Sequence, residues 1–186
     1  QINDKIGYVY DDETGIISLL SQIGTKAKLS QVSQQFANMY KNCGYKTFER
    51  TGDIYTLFYE NGINHLKQDG YLCFITSNKW MRAGYGKSLR SYFLTKNPYL
   101  LIDLGPGIFE NATVDTNILI IQNAANNNSL KGLSLSAEAK DKDLAEYVRK
   151  NAVSLPKMTK DTWFIGNAAE QSLKEKIEQI GKPLKE

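Results

Sequence analysis

Residues 71–92, YLCFITSNKWMRAGYGKSLRSY, run from an apolar strand straight into a loop carrying Lys79, Arg82, Lys87 and Arg90. Trp80, Tyr85 and Tyr92 stand among those cations, and no Asp or Glu occurs between Gly70 and Ile102. Tyr71 to Thr76 has the near-continuous apolar character of a strand buried on both faces. A loop at the carboxyl end of such a strand is where an open α/β sheet keeps its ligand site. The charge points to a polyanion.

Outward from this stretch the pattern alternates. Upstream, Asp53 is placed to cap a helix whose inner face is Ile54, Leu57, Phe58, Ile63 and Leu66, and Asp69-Gly70 is a turn signal. Downstream, a helix from Lys87 to Thr95 is expected to end at Asn97-Pro98, with Tyr99 to Leu104 as the next strand. A Gly105-Pro106-Gly107 turn and a further strand, Thr116 to Gln122, follow. Helix, strand, helix, strand at this spacing predicts βαβ units and a mostly parallel sheet.

Nearer the ends the signals are local. Ile16, Leu19, Leu20 and Ile23 follow helical spacing up to Gly24, and Leu29, Val32, Phe36, Met39 and Tyr40 mark a second helix up to Gly44. Asn123 to Asn128 is an Asn/Ala-rich break. After it, Leu130 to Ser136 reads as a strand, Asp143 to Asn151 as a helix and Trp163 to Ile165 as a short strand. Asn167 with Glu170 fits a capping box, for a helix lined by Leu173, Ile177 and Ile180 and ended by Gly181. This divides the chain into 1–43, 44–123, 124–160 and 161–186.

Composition sets bounds. The 186 residues are 41% hydrophobic and 23% charged, ordinary values for a globular chain able to bury a core. A net charge of +3 is too mild to imply nucleic acid, so only the local clustering of cations argues that way. Cys43 and Cys73 lack metal-type spacing and read as reduced thiols of a cytoplasmic protein. His65 is the only histidine, and Asp53, Glu60, Asp103 and Asp115 make no metal-ligand pattern. No apolar run approaches the ~18 residues of a membrane span. The chain opens on Gln1 and reads as a piece of a longer protein.

Several side chains admit two readings. The loop cations, with Lys96, are either a solvated face or phosphate contacts, with the aromatics available to stack on bases. Phe109, after the Gly-Pro-Gly turn, is either a core residue or one pushed into a cleft. Phe58 is either core or a rim aromatic against a planar ligand. Gly84-Tyr85-Gly86 is half of a phosphate-loop motif or a flexible joint.

The segments GYKTF (44–48), TGDIYTLFYENGINHLKQDGYLCFITSNKWMRAGYGKSLR (51–90) and LIDLGPGIFENATVDTNILII (101–121) together resemble the gamma-class N6-adenine DNA methyltransferase region of type IIG restriction–modification enzymes. Phage-exclusion methyltransferases are similar, and residues 162–186 resemble the stretch that leads into the target-recognition domain. The resemblance implies an α/β fold: part of a Rossmann-like methyltransferase sheet with flanking helices, then the start of a second domain. Residues 44–123 would be the C-terminal half of the methyltransferase domain and 124–160 a linker or small extension. Residues 1–43 would be a helical insertion or retained upstream helices.

The same resemblance implies the site. Asp53, Tyr55 and Phe58 fall on the motif that binds S-adenosylmethionine, and Phe109 falls on the aromatic that stacks on the flipped adenine. A paired adenine's amino group is unreachable in the duplex, so the base must be extruded and held against a π face. Asn78, Lys79, Arg82, Lys87 and Arg90 would line the double-stranded DNA. The family's Asn-Pro-Pro-Tyr tetrapeptide and its glycine-rich cofactor loop do not occur in this chain. The isolated chain is therefore expected to be inactive, as a fragment of an adenine methyltransferase, with or without an endonuclease in the parent. The rival readings are a non-catalytic DNA-binding or assembly module with a degenerate methyltransferase fold, and a generic Rossmann-type enzyme acting on a small nucleotide.

Overall fold

The computed structural model describes residues 2–3, 8–11, 16–19, 37–109, 114–135, 143–166 and 168–181. They fall into two units, Gln1–Tyr45 and Lys46–Glu186. In the first, β1 (Ile2–Asn3), β2 (Tyr8–Asp11) and β3 (Ile16–Leu19) form an antiparallel sheet. The helix expected from Ile16 onward is thus a strand where it is described, paired from Tyr8↔Leu19 to Asp11↔Ile16. Adjacent β-branched Ile16 and Ile17 fit a pleated surface better than a helix. Residues 37–42 are helical (α1), and Gly44, with φ of +78°, follows them as expected of a glycine that ends a helix.

The second unit holds α2 (Tyr55–Asn64), β4 (Tyr71–Ser77), a 3₁₀ turn (Asn78–Met81), α3 (Gly86–Phe93), β5 (Asn97–Gly105) and β6 (Thr116–Gln122). After them come β7 (Lys131–Ser134), α4 (Leu144–Asn151), β8 (Val153–Ser154) and α5 (Ala168–Ile180). The architecture is α/β with one five-stranded sheet, ordered β4-β6-β5-β7-β8. The sheet is mixed, not mostly parallel: β6 lies antiparallel between β4 and β5, and only β5 and β7 pair in parallel. The expected β4-α3-β5 unit is present, with β4 and β5 running the same way. What the spacing did not reveal is that β6 turns back and inserts between them.

Pro98 is tolerated because it stands at the start of β5, before pairing with β7 begins at Leu100, and the β6 register is irregular at that point. The Asn-rich stretch 123–128 does not end the sheet, since β7 continues it. Nor is Trp163–Ile165 a strand; among the described residues the last strand is β8.

One face of the sheet carries the main core. Trp80 meets Phe93 and Trp163 edge-on, at 5.1 and 5.3 Å between ring centroids, and Phe93 meets Tyr59 at 5.0 Å. Leu101, Leu119 and Ile121 supply the sheet side. Each such side chain, once fully buried, contributes about 1.5–3 kcal/mol. Leu144, Tyr147 and Val148 of α4 pack with Ile102, Leu104 and Leu133 in a second cluster. Asp143 caps α4 through the Glu146 N–H at 2.8 Å.

Two burial expectations are corrected. β4 alternates, with Tyr71, Cys73 and Ile75 exposed, so it is not buried on both faces and Cys73 is an exposed free thiol. The inner face of α2 is Thr56, Leu57, Tyr59, Glu60 and Ile63, leaving Ile54 and Phe58 outside. Asn167, the expected cap of α5, lies outside the described residues.

Candidate nucleic-acid and cofactor site

β4 and β5 end level with each other, because Thr116 of β6 is paired with both Ser77 and Gly105. The 3₁₀ turn and the Gly-Pro-Gly turn therefore leave the sheet side by side. Asn78 fastens them together: its backbone N–H donates to the Asp115 carbonyl at 2.9 Å, and its Nδ2 donates to Asp103 Oδ1 at 2.9 Å. Asp103 also accepts the Gly105 N–H at 3.2 Å and pairs with Arg82 at 3.4 Å. Asn78 is buried, so it holds the edge instead of facing a ligand. Asp103, whose role the sequence reading missed, orients both Asn78 and Arg82.

The start of α2 arrives at the same end of the sheet. Its Tyr59 hydroxyl lies 3.0 Å from Thr76 Oγ1, near the carboxyl end of β4. Tyr55 and Tyr85 share a hydrogen bond of 2.8 Å, and Tyr85 donates to Asp53 Oδ2 at 3.0 Å. Burial raises the pKa of both tyrosines, so each remains a neutral donor. Asp53 does not cap the helix as expected, because no side chain caps α2 and this carboxylate is turned to Tyr85. Glu60, a buried carboxylate further along α2, accepts the Lys46 and Thr47 N–H groups at 3.1 and 2.8 Å and anchors the segment before the helix.

The basic loop divides sharply by burial. Lys79, Arg82 and Lys87 are exposed. Arg90 is 4% exposed, and its guanidinium donates to the Trp80, Ala83 and Lys160 carbonyls. It is committed to main-chain acceptors and is not free for a phosphate, which corrects its assignment as a DNA contact. Lys96 sits at the other end of the sheet, where it donates to Asn123 Oδ1 at 2.6 Å. The aromatics are corrected too: Trp80 and Tyr92 are core residues, not stacking platforms.

Gly86 is no flexible joint, because a Cβ there would lie 2.0 Å from the Trp80 carbonyl oxygen. Gly105 and Gly107 adopt φ of +68° and +75°, which suits glycine, and after them Phe109 stands 46% exposed. Phe58 is 54% exposed on α2. The structure thus leaves Asp53, Tyr55, Phe58, Lys79, Arg82, Lys87 and Phe109 on the elements around the carboxyl edge. Among the described residues no His/Cys/Asp/Glu group could hold a metal ion, and no helix is long and apolar enough to cross a membrane.

Residues 25–109 match the Eco57I restriction-modification methylase family. RM.Eco57I of Escherichia coli, a type II restriction enzyme and methyltransferase, is 29% identical over 163 residues. The matched region is 82% of this chain but 16% of that relative's length. Among solved structures, the DrdV–DNA complex aligns with a TM-score of 0.50 at 10% identity, over 75% of this chain and 16% of that one. A type I restriction-modification methyltransferase subunit of Streptococcus thermophilus gives 0.45 at 17% identity, over 74% and 26%. At such identity the DrdV likeness speaks for the fold alone.

Proposed function

We propose that these residues belong to a DNA adenine methyltransferase of type IIG restriction–modification character, which moves a methyl group from S-adenosylmethionine to adenine N6. In this reading the chain supplies one side of the cleft. Phe58, with Asp53 and Tyr55, contacts the cofactor. Phe109 stacks on the extruded adenine. Lys79, Arg82 and Lys87 neutralise phosphates of double-stranded DNA.

The observation that carries the reading is the exposure of two phenylalanines, Phe58 and Phe109, at the two positions where the resemblance needs a bare π face. An exposed Phe costs apolar burial unless something covers it. The catalytic amide and the main cofactor loop would come from other parts of the protein, so the chain alone is expected to transfer no methyl group. The segment after Trp163 would lead into the recognition domain.

The test is methyl transfer by the full-length protein. Labelled S-adenosylmethionine and unmodified DNA should give N6-methyladenine after digestion to nucleosides. Label on cytosine, or none, would overturn the assignment. If DNA binds without any cofactor binding, the degenerate binding module is the correct reading.

A further inference from the structure

We propose that Tyr85 is a positioning residue that ties the cation-bearing loop to the start of α2, so that DNA on the loop and S-adenosylmethionine on the helix each alter the affinity for the other. The inference rests on the function proposed above and adds to it a coupling between its two ligands. Tyr85 lies in sequence between Arg82 and Lys87, both exposed, and its hydroxyl bonds Tyr55 of α2 and the Asp53 carboxylate just before that helix. A phenol has one proton. With that proton on Asp53 Oδ2 at 3.0 Å, the 2.8 Å bond to Tyr55 has Tyr55 as the donor. The chain of bonds therefore runs Tyr55 to Tyr85 to Asp53 in a fixed order, and moving Tyr85 breaks both links.

The surroundings leave the tyrosine little room to slide. A Cβ on Gly52 would come within 3.4 Å of Tyr85 Cδ2, and Gly86, the next residue, is packed against the Trp80 carbonyl. On the other side of the network, Tyr55 is three residues before Phe58, the spacing of neighbours along one helix face. A phosphate that fixes the loop on either side of Tyr85 thus steadies the bonds from Tyr85 to Tyr55 and Asp53 at the start of α2. Lys79 and Arg82 have no such link to the helix among the described side-chain bonds; Arg82 is held by Asp103 of β5.

Coupling of this kind is reciprocal: if DNA tightens the cofactor by some factor, the cofactor tightens DNA by the same factor. The experiment uses the full-length protein, S-adenosylhomocysteine as a non-reacting cofactor probe and a mixed-sequence duplex at low salt. Each affinity is measured with and without the other ligand. We expect about tenfold mutual tightening in the wild type, and a factor within about twofold of one in Tyr85→Phe, with each ligand's affinity alone nearly unchanged. A wild type without mutual tightening, or Tyr85→Phe that keeps it, overturns the role of Tyr85 and leaves the methyltransferase reading standing. A wild type that binds neither probe overturns the methyltransferase reading itself.

Discussion

Arg90 donates through Nη1 to the carbonyl of Trp80, and so ties α3 back to the turn from which the basic loop departs. Three carbonyls, those of Trp80, Ala83 and Lys160, converge on this one guanidinium. Two of them belong to the loop and its turn, so Arg90 shapes the surface on which Arg82 and Lys87 are displayed.

Replacing Arg90 by Met should therefore be a stability change. We expect a loss of about 3 kcal/mol, from buried carbonyls left without their charged donor, seen as a lower urea midpoint. Arg82→Ala and Lys87→Ala should leave that midpoint almost unmoved. In the full-length protein each should instead reduce the slope of log K against log salt by about 1. A salt slope that changes with Arg90 at unaltered stability would reverse the assignment.

Gly86→Ala should destabilise the fold by about 1–3 kcal/mol or more, because the added methyl meets a backbone oxygen that Arg90 also holds. Gly84→Ala, where the added carbon meets nothing within 4 Å, should be nearly silent. Thermal unfolding of the two variants side by side checks the contrast.

Phe109→Ala removes a half-exposed ring and should cost little stability. Its effect should appear in the full-length protein, where 2-aminopurine at the target position reports base extrusion. An altered extruded-base signal is expected; an unchanged one rules Phe109 out as the stacking residue.

Tyr92 is held above the ordinary tyrosine value of 10.0, at about 12, chiefly by burial and secondarily by the Glu60 charge. Burial raises Tyr59 as well. These phenols keep their protons in the folded state at a pH where the unfolded chain has begun to release them. Their contribution is thus complete below pH 10 and is lost as pH rises toward 12. The urea midpoint should fall across that window, and Tyr92→Phe should flatten the fall.

Much of the second unit could be read from residue patterns. The termini of β6, the helix from about Asp143 to Asn151 and, in the first unit, the stop at Gly44 follow from local chemistry. The placement of β6 between β4 and β5 does not, because strand order is a long-range property that a period of two cannot encode. The same limit explains Arg90 and Trp80. Each looked available by residue type, and each was claimed by partners distant in sequence, Lys160 and Trp163. Asp103 was overlooked for the same reason, since its partners Asn78 and Arg82 are more than twenty residues away.

The position of β6 also fixes the order in which the site can come into being. Within the sheet β4 and β5 are not neighbours, and the strand between them follows both in the chain. On a ribosome the basic turn, α3 and the Gly-Pro-Gly turn are therefore all synthesised before the strand that aligns their ends. A polypeptide truncated before Thr116 would carry every residue assigned here to DNA and cofactor and still lack the strand that holds them in register. Truncation after Gln122 should mark the point at which that alignment first becomes possible.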